Sequence, residues 1–167
     1  MNIFFLSMDP AECAQHHVDK HVVKMILEYC QLLSTAHHQL SPGNVPDGVY
    51  KQTHPNHPSA IWAREGAANY KWLHRLLVEL CKEYTFRYGK IHKSQSSGVV
   101  EALRKPPSNI PSGSTPIRLA MPEDSKRRDP VEAYRNLYAT HKQDLLVWTE
   151  RDMPEWLKTF GYKSKAM

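Results

Sequence analysis

Apolar and polar positions recur at helical spacing through most of this chain. Between Val22 and Leu33 the strongly polar residues are Lys24, Glu28 and Gln31, at i, i+4 and i+7, and the others are Val, Met, Ile, Leu, Tyr or Cys. At about 100° per residue these three share one narrow face. Extended backwards, the face takes in His21, His17 and Cys13. Asp9-Pro10-Ala11-Glu12 reads as the start of this helix, with Asp9 as N-cap, Pro10 as first helical residue and Glu12 as capping-box partner. The pattern predicts one helix from Pro10 to about His38, stopped by Ser41-Pro42-Gly43.

A second helix is predicted from Pro58, capped by Asn56 or His57, to near Gly89. Its broad apolar face carries Ile61, Trp62, Leu73, Leu76, Leu77, Leu80 and Tyr84. A shorter helix is expected from Gln95 to Lys105, before Pro106-Pro107 breaks it. Residues 106–128 read as an irregular, exposed segment that wraps over the helices. Asp129-Pro130 should open a last helix running to about Trp148, followed by a final turn around Met153–Leu157 that docks Trp156. Residues 2–6 would be a short strand or an extended buried arm, and 163–167 a frayed tail. The expected fold is mainly α. It is a single compact helical domain over residues 1–162, with long central amphipathic helices, a short N-terminal extended segment and long Pro-rich loops.

Composition narrows the class. A chain of 167 residues with 41% hydrophobic positions can bury a real core. No apolar run is long enough to cross a bilayer, and residues 1–6 lack the basic flank and length of a signal peptide, so a cytoplasmic protein is expected. Cys13, Cys30 and Cys81 are odd in number and widely spaced, which suits buried free thiols. The net charge of +5 favours an anionic partner, nucleic acid or a nucleotide. Oligomeric state is left open.

A helix that is apolar nearly all round is normally buried, and its few polar residues must then meet partners or line a cavity. This marks His17, His21, Lys24 and Glu28 as candidate catalytic residues. The bland alternative is a surface ion pair of Lys24 and Glu28 with solvated histidines. Lys before Glu is the weaker order for such a pair, so helix stability alone explains it poorly. In an apolar setting Glu28 would hold its proton more tightly, which suits general acid–base work. Lys24 would act as a nucleophilic amine or hold an anion. His17 and His21 stand at HxxxH spacing, but no Glu follows His17 and Lys24 would repel a cation, so neither a metal nor another cofactor is expected.

Further candidates lie outside the first helix. Asn56 and His57 stand where a helix N-terminus would offer N–H groups to a phosphate. Arg64 follows among small residues that favour close helix packing. Arg87, Lys90, His92 and Lys93 form a basic cluster with aromatic neighbours, suited to phosphates and bases or simply to a helix C-terminus. Lys126-Arg127-Arg128 is a second basic run, with a solvated loop as the plain alternative.

The layout resembles the pyrimidine-dimer DNA glycosylase, or endonuclease V-like, family. A short apolar start leads into a helix bearing His21 and Glu28 two turns apart. A loop then reaches Asn56-His57-Pro58, with Ile61-Trp62 behind it. The next helix carries Asn69-Tyr70 and Glu79 and ends at Arg87-Tyr88-Gly89. The likeness covers roughly the first 95 residues. It implies an all-helical, DNA-bending base-excision enzyme in which an N-terminal amine attacks the sugar carbon and a first-helix glutamate, here Glu28, assists. The family nucleophile is exposed by removing Met before a small residue. Here Asn2 follows Met1, a pair that normally keeps its Met. The nucleophile is therefore open between the Met1 amine, Lys24 or Lys20, and water.

The leading expectation is a DNA-processing enzyme of glycosylase type, with or without AP-lyase activity, that acts on damaged pyrimidines in duplex DNA. Two alternatives stand beside it. One is a nucleotide-binding or nucleotide-modifying enzyme with the stripe as its pocket. The other is a non-catalytic nucleic-acid-binding protein.

Overall fold

The computed structural model describes residues 2–164, so the tail positions 165–167 and Met1 lie outside the described residues. The chain is helical, with no strand among the described residues. The long helices are α2 (Asp19–Leu40) and α4 (Ala67–Tyr88), preceded by α1 (Pro10–His16) and α3 (Pro58–Glu65). Two single-turn helices, α5 (Lys93–Ser96) and α6 (Val99–Ala102), follow, and α7 (Pro130–His141) comes last. α1, α2 and α3 each pack on α4, and α2 also packs on α3. Residues 3–6 form the extended buried arm of the two expectations, threaded into the core at 4% exposure or less.

Asp9 accepts the Glu12 amide and Pro10 sits in the first turn, as the cap reading required. Glu12 does not complete the reciprocal box, because its carboxylate takes the Ser7 hydroxyl at 2.8 Å instead. The single helix expected over 10–38 is two helices. His17 and Val18 are extended, and the Asp19 amide bonds the Val147 carbonyl at 2.8 Å. Nothing in the local sequence breaks the helix there. A segment some 130 residues later supplies the competing partner.

The helix expected from Pro58 to Gly89 is also split, at Gly66. The first amides of α4, Ala67 and Ala68, bond the carbonyls of Pro111 and Gly113. This satisfies donors that a helix start leaves open. A Cβ at Gly66 would collide with the Gly113 carbonyl oxygen, so the glycine is needed for this backbone approach. Gly89 ends α4 in the left-handed region, at φ 67°, where a side chain would be strained. The helix expected over 95–105 is the α5–α6 pair, broken at Gly98 with φ 90°. The last helix ends at His141 rather than near Trp148. Residues 146–149 instead form a strap along the α1–α2 break, where Thr149 binds the Asp19 carboxylate and Trp148 Nε1 donates to the His16 carbonyl. Trp156 docks as expected, donating Nε1 to His16 Nδ1 at 3.1 Å under the Arg135 guanidinium.

Residues 106–128 lack regular structure apart from a 3₁₀ turn at Glu123–Ser125. They are tied down by side chains. Arg118 grips Glu65 through two bonds of 3.0 and 2.8 Å, and Thr115 exchanges bonds with Asn69. The three cysteines are free and buried, as expected. Burial pushes their thiols up to about 12, which leaves little thiolate for chemistry.

Gly66→Ala is expected to cost about 1–3 kcal/mol of unfolding free energy, the usual range for forcing atoms into a packed contact. Denaturant titration followed by circular dichroism checks it. An unchanged midpoint would mean that the Gly113 segment is free to move away.

Candidate active site on the second helix

α2 is not buried all round. Lys20, Val23, Lys24 and Leu27 form an exposed ridge, with Val23 45% and Leu27 40% exposed. This corrects the sequence expectation that an apolar circumference encloses the stripe. Glu28 lies at one border of the ridge, nine-tenths buried, and the Lys24 ammonium stands outside it at 3.9 Å. Lys24 itself is 71% exposed at the side chain, so it does not stand in the apolar setting expected of it.

His21 sits one helical turn before Lys24, on the buried side of the stripe. Its ring stacks on Phe4 of the N-terminal arm, at 4.1 Å between centroids and 10° between planes. Its Nδ1 is 2.7 Å from the Tyr138 hydroxyl of α7. That hydroxyl oxygen also accepts the Val18 amide at 3.4 Å. Burial, aided by the nearby charges of Lys142 and Lys24, brings the pKa of His21 down to about 3. The ring is thus neutral across the physiological range.

His17 is placed elsewhere. The break at His17–Val18 takes it and Cys13 off the α2 face, and both are fully buried. His17 Nδ1 donates to the Cys13 carbonyl at 2.7 Å, and Nε2 accepts from the Tyr29 hydroxyl at 2.8 Å. Burial lowers its pKa to about 3. No ring atom is left to meet a substrate, so His17 holds the arm and α2 together through Tyr29, which also accepts the Phe4 amide.

The expected nucleic-acid contacts divide in the same way. Arg87 is buried with 0% of its side chain exposed. It bonds Glu83 at 2.7 Å, Asp19 at 3.0 Å and the Gln15 carbonyl, which corrects its reading as a phosphate contact. Arg64 donates to the Pro55 carbonyl at 2.7 Å and so shapes the loop before α3. His57 caps α3 with Nδ1 on the Ser59 amide, leaving Asn56 exposed beside it. His92 caps α5 by accepting the Ser94 amide, and it also meets the Val23 backbone. Lys90 and Lys93 are exposed on either side of it. Lys126 is paired with Glu123 at 2.6 Å, and Arg127 is turned onto the carbonyls of Asp124 and Lys126, while Arg128 is exposed. Arg127 borders a separate 360 Å³ cleft with Arg135, Trp156 and Phe160.

Sequence reading missed several contributors. Tyr138 of α7 and Lys142 just beyond its end act on His21 from more than a hundred residues away. Asn2 is clamped by the same half of the chain. Its amide nitrogen donates to the Ala120 carbonyl at 2.8 Å, and its amide oxygen accepts from Tyr134 at 2.9 Å. No periodicity or spacing signals such pairs. The Met1 amine, named above as a candidate nucleophile, lies outside the described residues. Among the described residues no group of three or more His, Cys, Asp or Glu side chains is placed to hold a metal ion.

Compared with known proteins, residues 1–96 match the model of a protein family described as pyrimidine dimer DNA glycosylase. No curated protein and no solved structure matches the chain.

The two buried histidines fix a sign for stability against pH. Their folded pKa values of about 3 lie below the ordinary 6.5, so the unfolded chain binds more protons between those values. Stability is complete above about 6.5 and is lost as pH falls from there toward 3. Thermal melts should show Tm dropping steadily below pH 6.5, with a shallower slope in His17→Gln. A Tm that stayed flat from pH 7 to 4 would contradict the buried neutral rings.

Proposed function

Since the chain belongs to the pyrimidine dimer DNA glycosylase family, we propose that it binds damaged duplex DNA and breaks the bond between a damaged pyrimidine and its sugar, with Glu28 as the acid–base residue. The observation that carries this reading is the placement of Glu28. It is nine-tenths buried, yet it borders an exposed cationic ridge and lies on the same helix face as the neutral His21.

In this reading the departing base takes the electron pair of the glycosidic bond, and positive charge develops on the sugar. An ionised Glu28 stabilises that charge, or takes the proton of the attacking nucleophile as the new bond to the sugar carbon forms. Lys24 is solvated and close to Glu28, which supports a part in gripping the neighbouring phosphate rather than attacking the sugar. His21 lies on the same face as Glu28 to meet the bound strand, and Tyr138 and Phe4 keep its ring from turning. The clamp on Asn2 supports this arrangement by fixing the arm that carries Phe4.

The test uses UV-irradiated duplex and reads base release, strand nicking and borohydride trapping. Glu28→Gln should slow base release about 10²- to 10⁴-fold, the usual contribution of a positioned acid–base group. Lys24→Ala should weaken substrate binding and leave the maximal rate within a few-fold, the signature of an interaction made equally in ground and transition states. A trapped adduct would identify an amine nucleophile, and release without one would identify water. Wild-type protein that releases no base and forms no adduct on any damaged duplex would sink the proposal.

A further inference from the structure

The ridge of α2 has an opposite border. Around the helix, at 100° per residue, Glu28 is followed by Lys24, then Lys20 and Leu27, then Val23. Beyond Val23 comes the turn between α4 and α5, because His92 meets the Val23 backbone and the Cys30 thiol meets Ser94. That turn exposes Lys90, Ile91 and Lys93, with Ile91 62% exposed. One continuous surface therefore holds three exposed apolar side chains, Val23, Leu27 and Ile91, among four exposed lysines, Lys20, Lys24, Lys90 and Lys93.

These residues do not serve the fold. Val23, Leu27 and Ile91 are among the most exposed large apolar side chains of the molecule. Of the four lysines, only Lys24 has an acidic neighbour among the ion pairs of the described residues. Apolar groups surrounded by unneutralised cations fit a partner that is anionic outside and apolar within. A nucleic-acid duplex has that chemistry, with phosphates at the edge and stacked bases inside. An ordinary protein surface does not.

Resting on the DNA reading of the previous subsection, we propose that the Lys20–Leu27 ridge and the Lys90–Lys93 turn form the duplex-binding surface. The four lysines hold phosphates, and Leu27, Val23 and Ile91 press into the base stack beside the lesion. Leu27 lies across the exposed ridge from Glu28, so a wedge there opens the stack on the far side of Lys24 and Lys20 from the acid–base group. Apolar side chains pushed between base steps unstack and kink a duplex by roughly 20–90°. The kink presents the damaged nucleotide to Glu28.

The test measures binding of the full-length protein to an undamaged duplex of about 30 base pairs as salt is raised, with a dye on each DNA end to report bending. Each phosphate contact contributes a slope of about −0.9 in log affinity against log salt. Lys20→Ala, Lys90→Ala and Lys93→Ala should each make the slope shallower by about 1, a threefold to fourfold difference in salt sensitivity between about 50 and 200 mM. Val23→Ala combined with Leu27→Ala should leave the slope unchanged and reduce the bend. All these side chains are exposed, so circular dichroism melts should match wild type.

Three results would overturn the proposal. The first is an unchanged slope in the lysine variants, with the loss appearing instead on removing Lys126, Arg127 and Arg128. The second is an unchanged bend in the double apolar variant. The third is a dimer that dissolves in the double variant with duplex binding unaltered, which would assign the apolar patch to a second copy of the chain. Base release from UV-irradiated duplex by the wild type is scored separately. Its absence, with slope and bend behaving as stated, removes the enzymatic reading and leaves this surface standing.

Discussion

Arg87 leaves water completely on folding, and a guanidinium can do so only where its donors are met. Its Nε binds Glu83 of its own helix, Nη1 binds Asp19 at the start of α2, and Nη2 binds the Gln15 carbonyl at the end of α1. One side chain thus fixes how α1, α2 and α4 meet. Removing a partner from such a buried pair typically costs about 3–5 kcal/mol. Glu83 and Asp19 have further obligations, because Glu83 also takes Arg151 through two bonds and Asp19 takes Thr149. The strap at 146–151 is held by the same charges that set the helix junction.

The site depends on this junction. α2 begins where it does because Asp19 is engaged by Arg87 and by the strap. The direction set there carries Lys20, Val23, Lys24 and Leu27 outward, turns His21 toward the arm and α7, and leaves Glu28 buried at the edge of the ridge. Had α1 and α2 continued as one helix, His17 would have stayed in line with His21. The break sends His17 into the core, where Tyr29 and the Cys13 carbonyl use both its nitrogens. The candidate site that looked like four polar residues in a row is reduced to Glu28 and His21, with Lys24 outside them.

The 71 residues beyond position 96 lie outside the family match, yet they hold the candidate site's His21 and the arm in place. Tyr138 orients His21, Lys142 adds charge beside it, Tyr134 and Ala120 clamp Asn2, and Arg118 ties the long loop to Glu65. These contacts keep the N-terminal arm in place. They join positions from about fifty to more than a hundred and thirty residues apart, so only the folded chain brings them together.

Local physics was legible in the residues themselves. Asp9 and Pro10 open α1, His57 caps α3, Gly89 ends α4, and Asp129-Pro130 marks where α7 begins. Each follows from the chemistry of one or two neighbouring side chains. The polar stripe and its resemblance to the glycosylase layout were also readable, because helical spacing alone puts Lys24 and Glu28 on one face. Tertiary structure decided what competed with those local rules. The Val147 carbonyl and Thr149 interrupt a helix that the sequence would continue, and the Gly113 backbone interrupts another at Gly66. Burial was decided in the same way, since the pattern of Val23 and Leu27 matches that of core residues and only the missing neighbour above them leaves them exposed. Periodicity tells which residues share a face of a helix, and packing decides whether that face meets protein or water.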